Sequence, residues 1–202
     1  MPKMGADARL ARRREFVDAA RRITAEKGYR NLTVDDVCAE AGLSKGSFYA
    51  HFEEKRDLLF ALLDEDAAAV EDLIAGVGGA RSSGVARIRR FLQATLERSA
   101  DPVRVRLRAD LWAEAADDEV LRTRLAATVR ERRARLAGWI DEAASSGEIV
   151  DVPSNAFAAV LLALGDGLMM HAAVDPGGFR WSNVGRAVTS LLDGLTRPEP
   201  PA

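Results

Sequence analysis

The chain has 202 residues, enough for one large domain or two small ones, and 48% hydrophobic with 30% charged residues is ordinary for a globular protein. Its single cysteine, Cys38, excludes an internal disulfide, and a formal net charge of −2 does not by itself indicate nucleic-acid binding. We find no signal peptide, and the longest apolar stretch, Ala156 to Gly165, is too short to span a bilayer; we therefore expect a cytoplasmic protein without a membrane partner.

The charge is unevenly distributed along the chain. Residues 1–30 hold nine lysines and arginines against four acids, a balance of +5, whereas residues 31–60 have a balance of −3. A basic segment can contact the phosphate backbone of DNA. A solvated helix face has the same composition, and charge alone favours that interpretation.

The first predicted helix covers residues 9–27. Phe16, Ala20 and Ile23 recur at steps of four and three residues, which places them on one apolar face. Gly28 follows and can adopt the left-handed conformation that commonly ends a helix.

Two short helices joined by a tight turn are predicted next. Thr33, with Asp36 three residues later, has the pattern of a capping box, so the second helix is expected to begin there. Gly42 permits a tight turn, and Ser44 can cap a third helix over residues 45–52.

Helical patterns continue to the end of the chain, which gives an all-α fold with about nine helices. The Gly- and Ser-rich residues 76–84 are predicted to be a loop within this array, and residues 198–202 a disordered tail. The predicted helices after the third span residues 55–75, 85–98, 102–116, 119–146, 154–173 and 182–195.

The segment from Thr33 to Phe52 has the pattern of a helix-turn-helix. Phe48 and Phe52 are four residues apart and are expected to face the core, which leaves the polar side chains of the third helix on its other faces. That helix carries no acidic residue, which would repel phosphates. Its Gly46 allows a close approach to DNA.

The run from Gly28 to Leu59 resembles the DNA-binding domain of the tetracycline-repressor (TetR) family. The resemblance covers about residues 10–60. It depends on the spacing of the helices, on the turn glycine Gly42, and on Tyr49, Phe52 and Lys55, which follow one another at steps of three residues. Beyond it, the chain agrees with the family only in the number and length of its helices.

A few positions depart from the usual family pattern. Where this chain has Val37 and Cys38, the family usually has isoleucine and alanine. Where it has Ser47 and Phe48, the family usually has threonine and a smaller aliphatic residue. None of these differences removes a group that contacts DNA, although Phe48 implies slightly different packing behind the third helix.

The resemblance implies that eight residues bind DNA. A lysine can donate to guanine O6 or N7 and a serine to several bases, so some direct readout is expected. The implied phosphate contacts are Thr33, Tyr49, His51 and Lys55, and the residues implied to lie nearest the bases are Ser44, Lys45, Gly46 and Ser47.

The resemblance also implies a helix-turn-helix DNA-binding domain over residues 1–53 and a ligand-binding and dimerisation domain over residues 54–197. The helix over residues 154–173 is apolar nearly all round and is expected to be buried, with the last helix, in a dimer interface. In a homodimer, the third helix of one subunit lies about 34–36 Å from the third helix of the other, as a palindromic double-stranded operator requires. The implied function is a transcriptional repressor that a small-molecule effector releases from its operator.

An effector pocket is expected among the fourth to eighth helices, between the DNA-binding domain and the dimer interface. Asp110, Glu114, Asp166 and His171 can supply polar groups, and these acids favour a lipophilic ligand with a neutral or cationic group. The apolar residues expected to line this pocket are Phe91, Leu111, Trp112, Trp139 and Met169. The alternative is that these side chains are packed in the core and line no pocket.

Three other functions remain as alternatives. An architectural DNA-binding protein without an effector would need no pocket, and an activator would share every feature of a repressor. For an enzyme, we find no Ser/His/Asp, metal or nucleotide motif. We therefore expect no enzymatic activity, no cofactor and no bound metal.

Overall fold

Nine helices form the regular structure of the residues that the computed structural model describes, 6–77 and 82–196. Outside the helices, an isolated antiparallel bridge joins Ile149 and Thr196, and no strand is found in those two ranges. The all-α prediction is confirmed, and the predicted tail at 198–202 lies outside the described residues. The helices are α1 (Ala6–Lys27), α2 (Val34–Ala41), α3 (Lys45–Tyr49), α4 (Lys55–Val77), α5 (Gly84–Ser99), α6 (Pro102–Asp117), α7 (Glu119–Ser145), α8 (Ser154–Val174) and α9 (Trp181–Asp193).

The main boundary difference concerns α3, which ends at Tyr49 and not at Phe52 as predicted. The chain leaves the helix at Ala50, yet the backbone N–H of Phe52 still donates to the carbonyl of Phe48 at 3.0 Å. This extra turn keeps both phenylalanines on the buried side.

The first of two compact units contains the residues up to Ala68 together with Pro102–Arg122. Within it α1 packs against α2 and α6. The unit therefore unites the predicted DNA-binding helices with α6, which is distant in sequence. The functional boundary at residue 53 stays a prediction.

The second unit contains Ala69–Asp101 and the residues from Thr123 onward. Its apolar core joins α5, α7, α8 and α9, with Ile140 fully buried at its centre. At Gly84, a Cβ would lie only 2.6 Å from the carbonyl oxygen of Trp139, so α5 and α7 approach each other closely there.

Helix α8 is not buried on all sides within the single chain, so the burial expected from its composition depends on the predicted dimer interface. Val160 is 59% exposed and Val174 87% exposed, whereas Leu161 is 6% exposed and belongs to the core. The helix continues beyond Asp166, so its 21 residues are long and apolar enough to cross a membrane, contrary to our estimate from the shorter apolar stretch. A helix covered by a second protein surface has the same composition.

Candidate nucleic-acid interface

The predicted capping box at the start of α2 is present. The hydroxyl oxygen of Thr33 accepts from the N–H of Asp36 at 3.1 Å, and the Asp36 carboxylate accepts from the N–H of Thr33 at 2.9 Å. Lys27 also donates to this carboxylate, at 2.7 Å. These hydrogen bonds, with that of Lys27 the strongest, lower the pKa of Asp36 to about 2.

Gly42 and Ser44 form the turn between α2 and α3 as the sequence predicted. Gly42 has φ +65°, a left-handed conformation that strains a residue with a Cβ, and its N–H caps the end of α2. The side chain of Ser44 accepts from the N–H of Ser47 at 3.2 Å and so caps α3.

A cluster of aromatic side chains fixes the orientation of α3. Phe48 is fully buried, and its ring meets Phe16 of α1 edge-on at 5.5 Å. Phe52 lies beside both rings, 5.3 Å from Phe48 and 6.1 Å from Phe16. Because this side of α3 is buried, the opposite side faces outward, where Tyr49 is 57% exposed.

The first turn of α3 presents the residues predicted to lie nearest the bases. Ser44, Lys45 and Gly46 are exposed and Ser47 is half-buried. The ammonium of Lys45 forms an ion pair with Asp35 of α2 at 2.6 Å, which raises the pKa of Lys45. Asp35 could not be recognised from the sequence as a partner of Lys45, because an acid in the first turn of a helix is also favoured by the helix dipole.

The predicted phosphate contacts are in different environments. The Thr33 hydroxyl donates to Asp36 at 2.6 Å, so a phosphate contact requires it to give up this bond. Lys55 is half-buried, lies 4.4 Å from the centre of the Tyr29 ring and donates to the carbonyl of Arg30 at 3.2 Å. Burial lowers the pKa of Lys55. The other two N–H bonds of its ammonium group can serve a phosphate.

His51 lies two residues beyond the C-terminal end of α3. Its ring is 6.1 Å from that of Phe16, and burial, followed by the charges of Arg9 and Arg13, lowers its pKa. From charge alone, the basic residues of α1 were expected to form a solvated face, and no sequence pattern placed these two arginines beside α3.

Helix α6 holds the loop between α1 and α2 through carboxylates spaced four residues apart. Asp110 accepts from the backbone N–H of Tyr29 at 2.7 Å, and Glu114 accepts from Arg30 at 2.8 Å. Asp118, which directly follows α6, pairs with Arg56 at 3.3 Å. Asp110 and Glu114, expected to supply polar groups to a pocket, therefore bind the loop.

Residues 16–62 match a family described as bacterial regulatory proteins, tetR family, and residues 84–197 match the C-terminal region of BetI-type transcriptional repressors. The second match covers more than half of the chain. The chain belongs to the TetR family. The resemblance inferred from residues 28–59 is confirmed.

Individual relatives match this TetR-family chain over part of its length. The HTH-type transcriptional repressor Rv1474c of Mycobacterium tuberculosis is 46% identical over 66 residues, 33% of this chain and 35% of that protein. The match therefore spans about a third of the length of this curated relative.

Solved structures share the fold over nearly the whole chain. A transcriptional regulator from Saccharomonospora viridis, solved in complex with choline, has a TM-score of 0.84 at 20% identity, over 94% of this chain and 100% of that one. FadR from Bacillus subtilis, solved with stearoyl-CoA, has a TM-score of 0.78 at 19% identity, over 89% of this chain and 96% of that one.

The residues predicted to line an effector pocket divide between the two compact units. Leu111, which is 1% exposed, and Trp112, which is 48% exposed, belong to the first unit. Phe91, Trp139 and Met169 belong to the second unit, where the rings of Phe91 and Trp139 pack edge-on at 5.9 Å. The pocket stays a prediction.

A groove of about 740 Å³ lies between α5 and α9 in the second unit and includes none of these five residues. Its charged side chains all have polar partners: Arg89 pairs with Asp193 at 2.6 Å, Arg186 donates to Asn183 at 2.7 Å, and Glu97 accepts from Gln93 at 3.0 Å. Across the described ranges, no group of three or more histidine, cysteine or acidic side chains is placed to hold a metal ion.

Proposed function

We propose that this chain is a sequence-specific DNA-binding transcriptional repressor of the cytoplasm, controlled by a small-molecule effector. The single observation that carries the proposal is the first turn of α3. It presents the hydrogen-bond donors Ser44 and Lys45 and an exposed glycine, Gly46, on a helix held from behind by buried aromatic rings. Such a helix suits readout of base edges in a major groove.

A homodimer completes the proposed DNA-binding unit. The outer faces of α8 and α9 expose Val160, Val174 and, at 66%, Leu191. Covering these side chains in a two-fold interface removes apolar surface from water. Two copies of α3 would then contact successive major grooves of a palindromic operator, with residues 1–53 as DNA-binding domain and 54–197 as ligand-binding and dimerisation domain.

The effector would act by binding better to a conformation that does not fit the operator. The family match to BetI-type repressors and the choline and stearoyl-CoA complexes of the structural neighbours support a ligand-responsive C-terminal domain. An architectural DNA-binding protein would lack this response. A measurement of operator binding with and without candidate effectors therefore distinguishes the two functions.

Selection of duplexes from a random DNA library tests the proposal. We expect an enriched palindrome whose half-sites are about 10 base pairs apart, centre to centre, as two-fold helix-turn-helix proteins require. Lys45→Ala should change the base preferred at one position of each half-site, at a cost of about 1–3 kcal/mol. Failure to enrich any sequence would contradict the proposal.

Release from the selected operator tests the effector. Choline and stearoyl-CoA are the first compounds to test. For each compound, the melting temperature of the free protein and its affinity for the operator are measured with and without the compound. A compound that raises the melting temperature and weakens operator binding supports an effector-controlled repressor. A protein whose operator binding responds to no compound in a wider screen would be an architectural DNA-binding protein.

A further inference from the structure

The face of α1 that packs against α3 ends in two arginines. Arg9, Arg13 and Phe16 follow at steps of four and three residues, so they share one face of the helix. Phe16 packs into the aromatic cluster beneath α3, while Arg13 and then Arg9 continue this face towards the surface.

Both arginines contact the segment that follows α3. A guanidinium N–H of Arg9 donates to the carbonyl of Ala50 at 3.3 Å, and the guanidinium carbon of Arg13 lies 5.2 Å from the centre of the Phe52 ring. Together these contacts hold two positive charges beside His51, whose pKa is lowered first by burial and then by both charges.

Neither arginine has a carboxylate partner among the described residues, whereas cations farther along α1 do. Arg22 pairs with Glu40 at 2.5 Å and Lys27 with Asp36 at 2.7 Å, and Arg21 pairs with Glu65. The uncompensated positive charge of α1 is therefore concentrated at its N-terminal end, next to α3.

In the proposed complex with DNA, the short length of α3 would place this charge at the edge of the major groove. Five residues of α-helix extend about 7.5 Å, whereas the major groove is about 12 Å wide. With the first turn of α3 at the bases, groups just beyond its other end reach the phosphates that border the groove.

We propose that Arg9 and Arg13, together with His51, form a backbone clamp that binds DNA phosphates at the C-terminal end of α3. The clamp rests on the proposed DNA-binding function and adds two contacts from α1 to it. It increases affinity for all sequences equally, because phosphate contacts carry no base information. The competing role of Arg9 is to cap the C-terminal end of α3, which would affect stability only.

Binding measured over a series of salt concentrations separates these roles. The variants are Arg9→Gln and Arg13→Gln, which keep a hydrogen-bond donor but remove the charge, and their double variant. The matched control is Arg14→Gln, on the same helix, since Arg14 makes no hydrogen bond or ring contact with α3 within the described part of the chain. The probes are the selected operator and a random duplex of equal length.

Each single variant should make the slope of log affinity against log salt shallower by about one, and the double variant by about two, on both duplexes. The melting temperature should stay near that of the parent, and Arg14→Gln should keep the parent slope. An unchanged slope in both single variants would overturn the clamp, as would an equal loss of slope in Arg14→Gln. If the parent protein binds neither duplex, the proposed function itself fails, which is a different result.

Discussion

At the scale of single residues, the pair between Asp35 and Lys45 governs how freely the predicted base-contacting lysine can act. Both side chains are largely exposed, so water and salt screen their pair and DNA can compete for the lysine. The carboxylate also repels phosphates in every sequence. In the proposed complex we therefore expect it to weaken non-specific binding, whereas hydrogen bonds to the correct base offset the loss of the pair.

Asp35→Asn should accordingly strengthen binding to a random duplex more than binding to the operator, and so lower the ratio of the two affinities. Competition between the two duplexes measures this ratio. Glu26→Gln is a suitable control, because it removes the same charge from an exposed position on α1. An equal gain on both duplexes would mean that Asp35 acts only through net charge.

The capping box gives a pH dependence of stability. The pKa of Asp36 is about 2 in the folded chain and 3.8 ordinarily, so its ionised form stabilises the fold above pH 3.8, and this contribution is lost as the pH falls towards 2. The difference in unfolding free energy between the parent and Asp36→Asn should be constant from pH 5 to 7 and shrink below pH 4. Urea denaturation at each pH measures it, and a difference that does not change with pH would contradict this account.

At the scale of helices, the contact between α5 and α7 depends on the absence of a side chain at Gly84. A Cβ there would lie 2.6 Å from the Trp139 carbonyl oxygen and 2.8 Å from the Ala143 side chain, so the two helices would have to separate. Gly84→Ala should therefore destabilise the protein by about 1–3 kcal/mol, as overpacking does elsewhere.

Gly138 provides the matched control within α7. No atom lies within 4 Å of its ideal Cβ, so Gly138→Ala should stabilise the helix by about 0.5–1 kcal/mol. Thermal unfolding of the Gly84→Ala and Gly138→Ala proteins tests these two predictions. A Gly84→Ala protein as stable as the Gly138→Ala protein would show that α5 and α7 are not in close contact.

At the scale of the whole molecule, the exposed faces of α8 and α9 test the proposed dimer. Leu161, which the composition of α8 would suggest as an interface residue, is 6% exposed and lies in the core, so changing it would disturb the fold. Val160 is the better choice, because it is 59% exposed. Val160→Glu should give a folded monomer that binds the operator weakly.

Light scattering of Val160→Glu, alongside its circular dichroism spectrum, checks this expectation. Val120→Glu makes the same change at a valine of α7 that is 52% exposed and should leave the dimer intact. A Val160→Glu protein that remains dimeric would place the interface elsewhere.

The sequence by itself determined the helices and the helix-turn-helix. Local signals were sufficient, because the capping pair of Thr33 and Asp36, the turn at Gly42 and the cap at Ser44 act within a few residues. Periodicity was also sufficient to predict that Phe48 and Phe52 are buried. The family could be identified because its motif lies within one continuous stretch.

Only the tertiary structure decided which partners the charged and apolar side chains have. The pairing of Asp35 with Lys45 and the position of Arg9 and Arg13 beside α3 depend on how separate helices pack, which no local pattern encodes. For the same reason, Asp110, expected near a pocket, instead holds the loop before α2. Whether an apolar residue of α8 is buried, as Leu161 is, or exposed, as Val160 is, depends on which face of the helix its neighbours cover.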